Sequence, residues 1–123
     1  MKIRIKENSV RLRLTKSEVA EFCKSQSYSQ TINFGNRTLL YTLYTRENEK
    51  DYKALYEGDE IKIILPHSDI DKWKQDSCIG FEHQIDLDDG QKLRIKVEKD
   101  FVCLDETTED QSDNYTNPRM INE

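Results

Sequence analysis

The sequence predicts an α+β domain of about eight short antiparallel strands, forming a curved or barrel-like sheet with two short helices. Three observations predict it. Apolar and polar residues alternate with a period of two along four pairs of segments. Within each pair, two or three residues suited to a hairpin turn separate the segments. Two stretches open with Thr or Ser and carry an acid three residues later, which is how a capped helix begins. At 123 residues the chain has room for one such domain, placed at residues 1–104, followed by an acidic polar tail at 105–123.

The first hairpin lies in residues 1–14, where Ile3, Ile5, Val10, Leu12 and Leu14 alternate with Lys2, Arg4, Lys6, Arg11 and Arg13. Residues opposite each other in an antiparallel pair share a face. With Glu7 and Asn8 at the tip, Ile5 meets Val10 and Ile3 meets Leu12, whereas a three-residue tip would set apolar residues against basic ones. This register also places Arg4 opposite Arg11 and Lys2 opposite Arg13. Like charges so placed repel, so the ladder Lys2, Arg4, Arg11 and Arg13 needs an acidic cover.

Thr15 with Glu18 reads as a capping box that starts a helix over 16–24, with Val19, Phe22 and Cys23 on one side. Residues 28–34 and 37–45 pair around Gly35 and Asn36, setting Tyr28 against Leu43 and Ile32 against Leu39. The charged run 46–51 is a loop. Residues 52–57 and 60–65 pair around Gly58 and Asp59, with Tyr56 facing Ile61 and Ala54 facing Ile63, and Pro66 ends the strand. Ser68 with Asp71 resembles a second cap, leading a short helix that contains Ile70 and Trp73. The last hairpin joins 79–87 to 91–99 through Asp88, Asp89 and Gly90, which pairs Phe81 with Val97, His83 with Ile95 and Ile85 with Leu93. Its outer face brings Glu82 against Lys96 and Asp86 against Lys92, so this hairpin neutralises its own bases. Hairpin, helix, hairpin recurs in 1–45 and 52–99, a structural pseudo-repeat with little residue identity.

Charged and hydrophobic residues each make up 35% of the chain, so the core is thin; 9% aromatics and sustained alternation argue against disorder. No apolar run has the length of a secretory h-region or a membrane span, and Cys23, Cys78 and Cys103 are odd in number and form no CxxC. A reduced, cytoplasmic protein without a membrane association is the expectation. The net charge is −5, and it is unevenly placed: from residue 100 onward seven acids face only Arg119, against 18 bases and 17 acids in residues 1–99. The tail residues Asp105, Glu106, Glu109, Asp110 and Asp113 are therefore candidates to dock on the basic ladder. Together with Cys103 they also offer metal donors, but they lack the spacing and central glycine of a calcium loop, and no metal site is assigned.

The stretches MKIRIKENSVRLRLTKSEV, FGNRTLLYTL, and VEKDFVCLD followed by EDQSDNYTNP resemble a family of small uncharacterised bacterial proteins, a domain of unknown function. The resemblance spans residues 1–118 and implies a stand-alone, single-domain cytoplasmic protein, with no activity, cofactor or catalytic residue attached. The closing motif in that family more often reads Phe-Pro-Asn-Pro where this chain has Tyr115, Thr116, Asn117 and Pro118.

Catalytic chemistry finds little support. His83 occupies an apolar-face position suited to a core histidine, and His67 sits in a strand-to-helix turn. No glycine-rich phosphate loop, nucleophile elbow or metal-spaced histidine pair occurs. A barrel lumen of the triphosphate-tunnel kind would need the paired glutamates of an ExExK strand where KIRIK stands. An acidic protein with a nearly neutral body is a poor nucleic-acid binder. The reading is a non-enzymatic binding or interaction module, monomeric or homodimeric, taking a protein or a small anion on Lys2, Arg4, Arg11 and Arg13, with no cofactor. The alternative is an enzyme that binds or processes nucleotides or phosphate esters and uses the same face as an anion clamp.

Overall fold

The computed structural model describes residues 1–101 and 112–116. Its elements are β1 (Lys2–Lys6), β2 (Ser9–Leu14), α1 (Lys16–Ser25), β3 (Ser27–Asn33), β4 (Thr38–Tyr44), β5 (Lys53–Glu57), β6 (Glu60–Ile64), α2 (Asp69–Trp73), β7 (Gly80–Asp86) and β8 (Lys92–Lys99). The four hairpins adopt the registers that period-2 alternation dictates, including Arg4 opposite Arg11, Tyr28 opposite Leu43, Ala54 opposite Ile63 and His83 opposite Ile95. The turns supply the required backbone: Glu7 has φ 51° at the first tip, and Gly90 has φ 85° in the three-residue loop of the last.

The hairpins do not join into one antiparallel, barrel-like sheet. They form two separate four-stranded sheets, β1-β2-β8-β7 and β3-β4-β6-β5. Each is mixed, because its two inner strands run parallel, β2 with β8 and β4 with β6. Among the described residues neither sheet closes, and β1, β7, β3 and β5 are the outer strands. Replacing β1–β4 by β5–β8, and the reverse, converts one strand order into the other. Parallel pairing is concealed in the sequence because parallel strands ordinarily read as continuous apolar runs, buried on both faces. Here β2 and β8 keep a polar face, and alternation suits an antiparallel partner equally well.

The core lies between the inner faces and is closed at one end by the helices. Leu12, Leu14, Ile95 and Val97 from the first sheet and Tyr41, Leu43 and Ile63 from the second are buried together with Val19, Phe22, Ile70 and Trp73. Phe22 meets Trp73 edge-on at 5.9 Å, and Trp73 meets Phe81 at 6.0 Å, so three aromatic rings tie α1, α2 and β7 together. The Trp73 indole N–H donates to the Ile79 carbonyl at 3.2 Å, which satisfies its polar atom.

The helix starts differ from each other. In α1, Glu18 reaches back so that Oε1 accepts from the Thr15 N–H at 2.9 Å. Two further orphan donors are met by Asp113: its backbone oxygen accepts from the Lys16 N–H at 3.0 Å, and its carboxylate accepts from the Ser17 N–H at 3.3 Å and the Ser17 hydroxyl at 2.6 Å. Ser68, expected to cap α2, instead has helical dihedrals and makes no side-chain cap. Asp69 turns inward to accept from the Tyr52 hydroxyl at 2.6 Å.

Candidate functional site

The polar face of the first sheet is assembled by the parallel β2–β8 pair. Alternation puts the basic residues of β1 and β2 on the face away from the core. The registers then extend each row across four strands: Lys2–Arg13–Glu98–Gly80, Arg4–Arg11–Lys96–Glu82, and Lys6–Ser9–Arg94–Gln84. Arg94 and Lys96, read from the sequence as belonging to a self-neutralised hairpin, thereby join the N-terminal ladder.

Acid on this face comes from β8 and the residue that follows it. Glu98, with a side chain only 12% exposed, pairs with Arg11 Nε at 2.7 Å, Arg13 Nε at 3.1 Å and Lys96 Nζ at 3.7 Å. Lys2 Nζ pairs with the buried Asp100 at 3.2 Å. Gly80, the neighbour of Glu98 on β7, leaves no room for a side chain: a Cβ there would lie 2.2 Å from the Val97 oxygen and 2.8 Å from Glu98 Cβ. Asp86 pairs with Lys92 at 3.3 Å, as its register foretold, whereas Lys96 turns from Glu82 to Glu98. One carboxylate is thus shared by three bases, while Arg4, Lys6 and Arg94 form no ion pair with an acid among the described residues.

Between the rows lies an open cavity of about 270 Å³, lined by Arg4, Lys6, Arg11, Arg94 and Lys96, with Glu82 the one acid in its wall among the described residues. Arg guanidinium groups on a rigid face accept planar oxyanions in bidentate fashion, and clustered charge of one sign focuses potential. The sequence reading left Lys6 out of the ladder, set Arg94, Lys96 and Glu82 aside as part of a self-neutralised hairpin, and did not single out Glu98, which pairs with three bases beside the cavity. Lys6 was visible in the alternation; bringing the β8 residues beside the ladder needed the parallel pairing, which leaves no local mark.

Of the tail candidates, Asp113 lies at the start of α1, not on the ladder, and Asp105, Glu106, Glu109 and Asp110, with Cys103, lie outside the described residues. Tyr115 anchors this part of the chain: its N–H donates to the Asp100 oxygen at 2.8 Å and its ring packs on Phe101 at 5.7 Å. The Ser17 hydroxyl holds the Asp113 carboxyl below the ordinary aspartate range. Burial pushes the Glu18 carboxyl up, but hydrogen bonds from the Met1 amine, at 2.5 Å, and from the Thr15 N–H outweigh it, leaving the group below its ordinary value.

His83 is exposed and not in the core; its ring stacks on Tyr52 at 4.5 Å across the gap between the sheets. The Cys78 thiol is directed at the Gly80 carbonyl, 3.9 Å away, and burial raises the pKa of the Cys23 thiol. Among the described residues no three His, Cys, Asp or Glu side chains are grouped to hold a metal, and no helix is long and apolar enough to cross a membrane.

Residues 1–119 match a family of unknown function, DUF7009. The chain belongs to that family. The match takes in both sheets, both helices and the docked segment 112–116, so the DUF7009 pattern covers every residue of the basic face. No curated protein and no solved structure matches the chain.

Proposed function

We propose that this DUF7009 protein is a non-enzymatic binding module that takes a phosphate-type anion on the polar face of its first sheet. What carries the reading is the sharing of Glu98 by Arg11, Arg13 and Lys96, with Arg4, Lys6 and Arg94 left unmatched by any acid among the described residues. A face built only for stability would place opposite charges alternately, since like charges on adjacent strands cost stability. The cavity of about 270 Å³ suits a small oxyanion such as pyrophosphate or the phosphates of a nucleotide. Arg4 and Arg94 stand on β1 and β8, on either side of β2, and would grip the anion from two strands.

Calorimetric titration with pyrophosphate tests this. Binding is expected to saturate at one site and to weaken as salt rises, because exposed charges are screened. The Arg4→Ala and Arg94→Ala variants should each lose about tenfold in affinity, the equivalent of about 1.4 kcal/mol. Absence of binding, or binding indifferent to both substitutions, contradicts the proposal.

A further inference from the structure

We propose that the cavity beside α1, α2 and the end of β8 binds a small aromatic carboxylate. It measures about 410 Å³, within the size range of small-ligand sites. Four lysines line it, Lys16, Lys24, Lys74 and Lys99, and Asp76 is the one acid in its wall among the described residues. The rest of the wall is apolar or aromatic: Val19, Ala20, Cys23, Trp73 and Tyr115.

Three elements bring this charge together. On α1, Lys16, Ala20 and Lys24 recur every four residues and so share one side of the helix, where the small, exposed Ala20 leaves space between two long basic chains. Lys74 follows the last turn of α2, and the acid it pairs with, Asp71, lies 3.9 Å away with both side chains exposed. Lys99 ends β8 and is only 5% exposed. Its Nζ donates to the Gln75 carbonyl at 2.9 Å and stands 5.3 Å from the centre of the Tyr115 ring, and it forms no ion pair with an acid among the described residues.

That buried ammonium selects the head group. A charge taken out of water is costly unless it is paired, and a carboxylate in the cavity brings the single negative charge that Lys99 lacks. Lysines are point charges without the bidentate fork of arginine, which sets this cavity apart from the arginine-bearing one on the first sheet. The body of the ligand follows from the rest of the wall. Ammonium groups are attracted to ring faces, as Lys99 is to Tyr115, so an aromatic ring among these lysines gains more than an aliphatic chain does. Burial pushes the Cys23 thiol up, so it stays protonated at neutral pH and contributes apolar surface, not a nucleophile.

The site is separate from the pyrophosphate site, and the experiment keeps the two apart. Naphthoate, naphthylmethanol and acetate are titrated into the full chain by calorimetry. Naphthoate is expected to bind one to one, naphthylmethanol about tenfold more weakly for want of the charge, and acetate without saturation. Ala20→Glu sets a carboxylate between Lys16 and Lys24 at an exposed helix position, where pairing four residues apart preserves α1. It should abolish naphthoate binding and leave pyrophosphate binding unchanged. Lys99→Met should weaken naphthoate by about tenfold, and Ala20→Glu decides alone should Lys99→Met fail to fold. Arg4→Ala, which weakens pyrophosphate, should leave naphthoate unaffected. No saturable naphthoate binding, equal affinity for the alcohol, undiminished binding in folded Ala20→Glu, or loss of naphthoate in Arg4→Ala overturns the inference.

Discussion

With its side chain 12% exposed between Arg11, Arg13 and Lys96, the Glu98 carboxylate meets three cations at once, and glutamine in its place would remove the charge while keeping the shape. Loss of one partner from a largely desolvated ion cluster is destabilising, here by about 1–3 kcal/mol. The same change raises the positive potential of the basic cavity, so Glu98→Gln is expected to bind pyrophosphate several-fold more tightly while melting at lower temperature. A variant weaker in both respects would place Glu98 in the binding site itself. Glu18 offers a second, independent prediction. Its folded pKa lies below the ordinary value of 4.5, so its contribution is present above that value and is lost as pH falls through the lowered pKa. Asp113, lowered by Ser17, acts in the same sense from the outside of α1. Urea denaturation below pH 4.5 should therefore show a steep loss of stability in the native chain and a shallower one in Glu18→Gln.

At the scale of elements, β7 leaves no room for a side chain at Gly80, against β8. A methyl group at Gly80 would overlap the backbone at Val97 and Glu98, and backbone cannot yield as a flexible side chain can. Gly80→Ala is expected to cost roughly 3 kcal/mol or more. Gly35→Ala, in an open turn with φ 90°, carries only conformational strain and should cost less, so chemical denaturation of the two variants in parallel checks the difference. The elements were also the most legible level of the sequence. Each hairpin register followed from alternation and turn chemistry, because both act within about twenty residues. Ser68 misled because its pattern matched a cap, while tertiary contact drew Asp69 inward to Tyr52. His83 misled for a related reason: it occupies the apolar face, but on the outer strand β7, where it stays exposed with its ring stacked on Tyr52.

For the whole molecule, the basic face depends on a contact that sequence separation hides. Residues 9–14 and 94–99 become neighbours only when the first and last hairpins meet, and this meeting turns a four-residue ladder and a seemingly self-neutralised hairpin into one basic face. The matching β4–β6 pair in the second sheet creates no such face, since its outward rows mix Thr42, Tyr44, Glu60 and Lys62. The most direct measurement is amide and side-chain NMR shift mapping during titration with pyrophosphate. Perturbations concentrated on residues 4–6, 9–11 and 94–96, on strands from opposite ends of the chain, are the predicted result. Shifts confined to Lys16, Lys24, Lys74 and Lys99, which line a separate cavity beside Cys23, or spread evenly over surface lysines, would contradict a site on the first sheet.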